Sequence, residues 1–351
     1  MVVVGADVHK GTHTFVAVDQ VGRQVGQRTV AATSEGHAKA LAWAREQFGE
    51  ALTWAIEDCR HLSARLERDL LSAGQQVVRV PPTMMAEQRR IARTRGKSDP
   101  IDALAVARAF QRDPELPIAS HDEVSREAKL LVDRREALVA TRTRTINSLL
   151  WRVHELDPAH APKERSMGLV THQQALRAWL LTLDGIVAEM AVDELDDIIA
   201  LTARIKEFDK RIGALARREV PTLLALPGCG ELSAAKLLGE SAGITRFHSE
   251  AAFARHAGIA PIPVWSGNTA GRVRMTRSGN RQLNAAIHRI AITQARLPDT
   301  LGRAYYEKKL AEGKSKTEAL RCLKRRLARV VFQLLTTDHH NRQTTPIPTA
   351  A

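Results

Sequence analysis

The first hundred residues switch between two hydrophobic periods. "VVVGADV" (2–8) is apolar and β-branched, "THTFVAVD" (12–19) alternates, and "GRQVGQRTVAAT" (22–33) follows a turn at Gly22. These patterns predict three consecutive strands in an antiparallel meander, with "VDQVG" as a hairpin connection. "EGHAKALAWAREQF" then has helical spacing, with Ser34 as its predicted N-cap. "LTWAIEDC" reads as a buried strand and "HLSARLERDLLSAG" as an amphipathic helix stopped by Gly74. "QQVVRVPP" reads as a strand ended by its prolines, and a further helix is predicted with Ser98 as its N-cap and Pro100 in its first turn. The order βββαβαβα predicts a mixed sheet with helices packed against it.

From about 121 to 220 the strand signals vanish. Ile146, Leu149, Val153 and Leu156 keep a 3/4 spacing, as do Leu201, Ile205, Phe208, Ile212 and Leu215. Two long helices with one apolar seam each, broken by "DPAHAPKERSMG", suit an antiparallel coiled-coil arm or a compact bundle equally. From 221, "LLALPGCGELSAAKLLGE" reads as helix, Pro-Gly-Cys-Gly turn, helix. It is similar to a helix-hairpin-helix segment, whose free backbone N–H groups can meet a phosphate, and it also suits a plain αα turn. "AGIAPIPVWSGNTAGRVRMTRSGN" (257–280) reads as a long Gly/Pro-rich loop. "RQLNAAIHRIAITQAR" and "SKTEALRCLKRRLARVVFQLL" read as basic amphipathic helices, and residues 338–351 as a disordered tail. The predicted organisation is therefore 1–120, 121–220, 221–337 and the tail: α/β, then all-α.

Charge sharpens this picture. The net charge is +13, and residues 271–329 hold 16 Lys/Arg against 4 Asp/Glu. A basic block of this kind reads as a phosphate-backbone surface. No apolar run reaches the roughly 18–20 residues of a membrane span, and the N-terminus reads as a strand rather than a signal peptide. Cys59, Cys229 and Cys322 form neither a CxxC pair nor a zinc spacing. A reducing cytoplasm fits.

Four acids stand out. Asp99 and Asp102, in "TRGKSDPIDALAVARAF" (94–110), lie three apart on one helical face. Asp99 alone would serve the helix dipole, which leaves Asp102 unexplained. Asp7 sits inside a β-branched strand, where a carboxylate is costly without a partner. Glu57 ends another apolar strand. Carboxylates from two strands and a helix can converge at one end of a sheet, and they repel unless a cation sits among them. Oxygen ligands select Mg²⁺ or Mn²⁺ over zinc. Two such ions clamp the attacking and leaving oxygens of a phosphodiester. A meander with an acid on its first strand is the ribonuclease-H-like arrangement. Actin-like sugar kinases share the opening G-x-D-x-x-K strand, but no second glycine-rich phosphate loop follows Glu57. Asp58 points to the other strand face. His9 is read as turned relative to the Asp7 face, and no histidine is assigned a role.

Together, "GADVHK", "AIEDCR", "TRGKSDPIDALAVARAF", "LPGCG" and "AGIAPIPVWSGN…GRVRMTRSGNRQLN" resemble the DEDD transposases, the serine-and-acid recombinases of the insertion-sequence-110 type, over about residues 2–335. The resemblance implies a RuvC-like N-terminal domain in which Asp7, Glu57, Asp99 and Asp102 bind Mg²⁺ (Mn²⁺ also suits them). It implies a serine nucleophile in "PVWSGNTAGR", where Ser266 matches. The family often has two serines there; here Trp265 precedes the one. Ser278 is the runner-up, though it reads more as a helix cap. Further implications are a 5′-phosphoserine link to DNA and a site composed across protomers. The arm at 121–220 would be the dimerising element, and two dimers would span donor and target DNA as a tetramer. A structured non-coding guide RNA would choose both DNA sites. Localisation would be bacterial, cytoplasmic and nucleoid-associated. Arg272, Arg274, Arg277 and Arg281 are candidate phosphate contacts. Two other readings stay open: a RuvC-like nuclease that uses water and needs no serine, and a basic scaffold without catalysis.

Overall fold

In this computed structural model the described residues are 1–58, 60–91, 96, 98–114, 116, 118–120, 122–163, 165–275 and 279–344, with the side chains of residues 60 and 61 set aside. The chain forms two compact units, Met1–Asp122 with Thr245–His248, and Glu123–Ile244 with Ser249–Ala351.

The first unit runs β1 (Val2–Val8), β2 (Thr12–Val18), β3 (Gln24–Ala31), α1 (Ser34–Phe48), β4 (Leu52–Glu57), α2 (Arg60–Ser72), β5 (Gln76–Val80), α3 (Pro82–Ile91) and α4 (Asp99–Arg112). Its sheet has the order β3-β2-β1-β4-β5. β1, β2 and β3 are antiparallel neighbours, whereas β4 runs parallel to β1 and β5 parallel to β4. This is the mixed sheet the patterning predicts. Side-chain alternation gives it two cores. Val4, Ala6, Phe15, Trp54 and Ile56 pack with Ala40, Ala44, Leu66 and Leu70 on one face. Val3, Val16, Ala55 and Val78 pack with Met85, Ala103, Val106 and Phe110 on the other.

On the α4 face Gly5 is decisive. A Cβ there would lie 2.1 Å from the Ala103 carbonyl oxygen and 2.7 Å from the Ala107 nitrogen. A bare backbone opposite two alanines lets α4 lie directly on the central strand, which brings the start of α4 close to the end of β1.

Three local expectations are corrected here. Thr33, not Ser34, caps α1, its Oγ1 accepting from the Gly36 N–H at 3.1 Å. Ser98 occupies the N-cap of α4 but makes no side-chain cap hydrogen bond. The prolines that end β5 also start α3, a helix the sequence reading omits; proline suits a first helical turn.

The second unit contains α5 (Glu123–Leu156), α6 (Val170–Leu180), α7 (Ile186–Glu219), α8 (Pro221–Leu224), α9 (Glu231–Ser241), α10 (Glu250–His256), β6 (Pro261–Pro263), β7 (Val273–Met275), α11 (Arg281–Arg296), α12 (Leu301–Ala311) and α13 (Lys316–Thr344). α5 and α7 lie antiparallel. Arg135 bonds Asp209, Arg142 bonds Thr202 and Ser148 bonds Glu194, so partner numbers fall as α5 advances. Leu149, Val153, Leu195 and Ile198 form their apolar seam, closed by Leu176 and Leu180 of α6.

Three further differences appear. The helix before the Pro-Gly-Cys-Gly turn is only the four-residue α8. The long loop at 257–280 contains the β6–β7 hairpin, and α12 follows it without having been predicted. The expected tail is helical through Thr344. Its Asp338 is 1% exposed and accepts from the Thr222 and Leu223 N–H groups at 3.0 and 3.1 Å, covering the open end of α8. Residues 345–351 lie outside the described residues. Among those described, no helix is long and apolar enough to cross a membrane.

Candidate active site

The acids gather at the carboxyl ends of β1 and β4. β1 and β4 are in parallel register with Ala6 opposite Ile56, so one step further sets Asp7 beside Glu57, in strand alternation with Val3 and Ala55 of the α4-facing core. Asp7 is 7% exposed and Asp102, in the first turn of α4, 8% exposed. Asp99 is the first residue of α4 and is exposed.

Electrostatics link all four. Burial holds the Asp7 carboxyl above its ordinary range; His9 lowers it, while Asp102 and Asp99 raise it. Burial likewise raises Glu57, with Asp7 and Asp102 adding to the effect and Arg89 opposing it. Asp102 thus makes ionisation of both Asp7 and Glu57 harder, Asp99 that of Asp7, and Asp7 that of Glu57, as expected of acids that share a small volume. Arg89, supplied by α3, donates from Nη1 to Asp102 Oδ1 at 3.0 Å and sets a fixed positive charge beside it.

The ligand geometry refines the expected set. His9 Nε2 lies 3.0 Å from Asp7 Oδ2 and 3.5 Å from Asp99 Oδ1, and ligand atoms of these three residues lie within 4.8 Å of one another. Glu57 and Asp102 do not join that tight group. His9 is the residue the sequence reading missed. Positions i and i+2 of a strand share a face, so alternation itself was the signal. Two carboxylates and an imidazole, with two more acids close enough to perturb them, fit a divalent cation with mainly oxygen donors, Mg²⁺ or Mn²⁺. Beyond burial, Asp102 and Asp99 raise Asp7, and Asp7 and Asp102 raise Glu57; this crowding of acids is the observation that supports the fit.

Ser266 stands elsewhere, at the tip of the β6–β7 hairpin in the second unit. The base of this hairpin is firmly held. The Asn280 N–H donates to His256 O at 2.7 Å, and Asn284 Nδ2 donates to Ala257 O and Gly258 O at 3.0 and 3.1 Å. Gly279 packs so closely on Gly258 that a Cβ would lie 2.2 Å from its nitrogen. The tip is open. Ser266 caps a short 3-10 turn, donating its N–H to Thr269 Oγ1 at 3.0 Å, and its side chain is exposed. Trp265 beside it is 56% exposed. Arg272 and Arg274 on the return strand and Arg281 at the start of α11 are also exposed. Arg277 and Ser278 lie outside the described residues. The cap of α11 is Asn280, whose Oδ1 accepts from the Gln282 and Leu283 N–H groups, and not Ser278.

Comparison with known proteins gives the family of the chain. Residues 4–156 match the DEDD transposases of the IS110 type, and residues 220–307 match the Transposase IS116/IS110/IS902 family. The chain belongs to the IS110-type transposase family. Its relatives include the 42 kDa protein of insertion element IS900 from Mycobacterium paratuberculosis, 28% identical over 95% of both chains. Another is the 44.8 kDa protein of insertion element IS116 from Streptomyces clavuligerus, 27% identical over 98% of this chain and 96% of that one. Among solved structures, T. thermophilus RuvC in complex with a Holliday junction substrate aligns with 32% of this chain and 95% of its own, at 16% identity and TM-score 0.25. In this transposase the first family match spans all four acids and His9, and the second spans Ser266 and its arginines. α6, α7 and α13 fall outside both matches.

Proposed function

We propose that this transposase cuts and rejoins DNA through a phosphoserine intermediate. The reading is carried by one observation: buried Asp7 and half-buried Glu57 stand side by side at the sheet end, both are raised by burial and by Asp102, and Asp7 shares His9 with Asp99. Asp7, Glu57, Asp99 and Asp102 hold Mg²⁺ or Mn²⁺, and His9 orients the Asp7 carboxylate. The bound cation supplies Lewis acidity toward the phosphodiester. Ser266 Oγ attacks phosphorus, the P–O3′ bond breaks, and the serine proton ends on the released 3′ oxygen. The bond energy stays in the 5′-phosphoserine ester, so rejoining needs no nucleotide cofactor.

The acids and Ser266 belong to different units, and this chemistry needs them at one phosphate; a dimer that exchanges these parts supplies that. We assign 1–120 to the cleaving domain, 121–220 to dimerisation and 221–337 to the serine-bearing domain. Trp151, Leu181 and Ile186, exposed on α5, after α6 and on α7, support self-association through this helical region. The basic C-terminal surface suits a reader of backbone and shape, with donor and target DNA chosen by base pairing to a guide RNA.

Trapping tests the reading. Protein, Mg²⁺, the element's flanking RNA and labelled junction DNA are run on a denaturing gel. A labelled protein–DNA adduct with wild type, absent with Ser266→Ala, is expected. Cleaved DNA without adduct from both proteins overturns it in favour of a water-using nuclease.

A further inference from the structure

α13 carries a row of cations that the expected phosphate contacts do not include. Arg321, Arg325 and Arg329 stand at i, i+4 and i+8, stepping about 6 Å each time along one helix face. Leu323, Leu327 and Val331 are buried. The arginine row lines a cleft of about 1820 Å³ that is closed on another side by Val273, Arg274 and Met275 of β7. Tyr305 of α12 also lines it, and the Arg326 guanidinium sits 4.8 Å from the centre of that ring, a stacking contact that holds the cation in place.

The charges in this cleft are poorly neutralised. Six Lys/Arg and two Glu face it. Arg329 pairs with Glu250 at 2.8 Å, whereas Arg321 and Arg325 make no hydrogen bond or ion pair with a described residue, Arg321 acting on Glu318 only at longer range. Half-buried Lys324, on the same helix, is held below its ordinary range by burial and by Arg321. A solvated basic face would spread such charges on a convex surface. Here they converge across a concavity, where a polyanion relieves their repulsion.

We infer that this cleft seats the DNA backbone flanking the cleavage point, with Arg321 and Arg325 as its phosphate contacts and β7 as the wall that leads it to Ser266. Continuity carries the choice of DNA. Arg274 at the cleft edge lies opposite Ile262 on the hairpin whose tip is Ser266. A strand along α13 therefore runs onto the hairpin that holds the nucleophile. The inference rests on the proposed DNA cleavage at Ser266, and its spacing argument is that a helix face stepping about 6 Å matches neighbouring phosphates on one strand.

The test uses the full chain. Binding of fluorescein-labelled junction DNA is followed by anisotropy across a salt series for wild type and Arg321→Gln/Arg325→Gln. The expected result is weaker DNA binding with a log–log salt slope shallower by about two, one per lost phosphate contact. The melting temperature should be unchanged, and adduct formation should recover at saturating DNA. A second readout uses wild type alone: junction DNA should slow alkylation of Cys322, which lines the cleft. An unchanged slope, or a loss confined to RNA of equal length, overturns the inference, as does unslowed alkylation of Cys322. If wild type forms no serine adduct, the proposed chemistry falls, while the slope and Cys322 protection still decide the cleft.

Discussion

The acid site and the serine hairpin solve opposite problems. The acids sit on a central sheet edge that packing cannot easily move: Gly5 under α4, two cores, and Arg89 bonded to Asp102. The serine sits on a tip with an anchored base and few contacts of its own. Preorganisation matters most where like charges must be held together against their repulsion. If Ser266 is the nucleophile proposed above, an open mount leaves it free to reach a phosphate. The account therefore makes the acid end intolerant of small structural changes and the hairpin tip tolerant of them.

The largest expected effect separates the two chemically. Asp7→Asn should lower strand cleavage by at least about 10²–10³-fold, the scale of losing a main electrostatic group, while leaving DNA affinity intact. Gel-based cleavage rates at saturating DNA measure this, and a loss that disappears at higher DNA concentration would assign Asp7 to binding instead.

Next is a pH effect confined to the first unit. His13 is 2% exposed, stacked 5.1 Å from His37, and burial pushes its pKa down to about 4 from 6.5. The unfolded chain binds that proton near pH 6.5 and the folded chain does not. The stability it contributes is present above pH 6.5 and is lost as pH falls towards 4, by about 3 kcal/mol in all. Asp7 and Glu57, raised in the fold, act in the opposite sense, so the measurement compares urea unfolding of wild type with His13→Leu. The variant should lose less stability between pH 7 and 5. Equal slopes would refute the assignment.

Smaller again is a pair of glycine changes that tests the comparison in packing terms. Gly5→Ala should destabilise by about 1–3 kcal/mol, because backbone of α4 must move. Cleavage should fall with it as Asp99 and Asp102 shift. Gly267→Ala, at φ 48 with nothing within 4 Å of its Cβ, should cost about 1 kcal/mol or less. Chemical denaturation with parallel activity assays would show this, and equal costs would erase the distinction drawn between the two regions.

The same contrast explains what was legible in the chain. β1, β2, β4 and β5 were readable because burial on both faces imposes continuous apolar runs, whereas exposed β3 was readable from the turn at Gly22 that precedes it. The acids were readable because a carboxylate inside such a run violates the pattern. What escaped depended on partners distant in sequence or on ambiguous prolines. Pro81 and Pro82 end β5 and also open α3, so Arg89 was missed as the partner of Asp102. Pro261 and Pro263 hide β6, because proline disguises a two-stranded hairpin that tolerates missing N–H donors. His9 was set aside although strand alternation places i and i+2 together. Asp338 read as tail because its role as a cap lies 116 residues away in sequence.

The most direct test of the acid site is cation binding itself. Mn²⁺ titrations followed by electron paramagnetic resonance would compare wild type, Ser266→Ala and Asp7→Asn. The account predicts the same Mn²⁺ affinity for wild type and Ser266→Ala and a marked loss for Asp7→Asn. Undiminished Mn²⁺ binding by Asp7→Asn would contradict it.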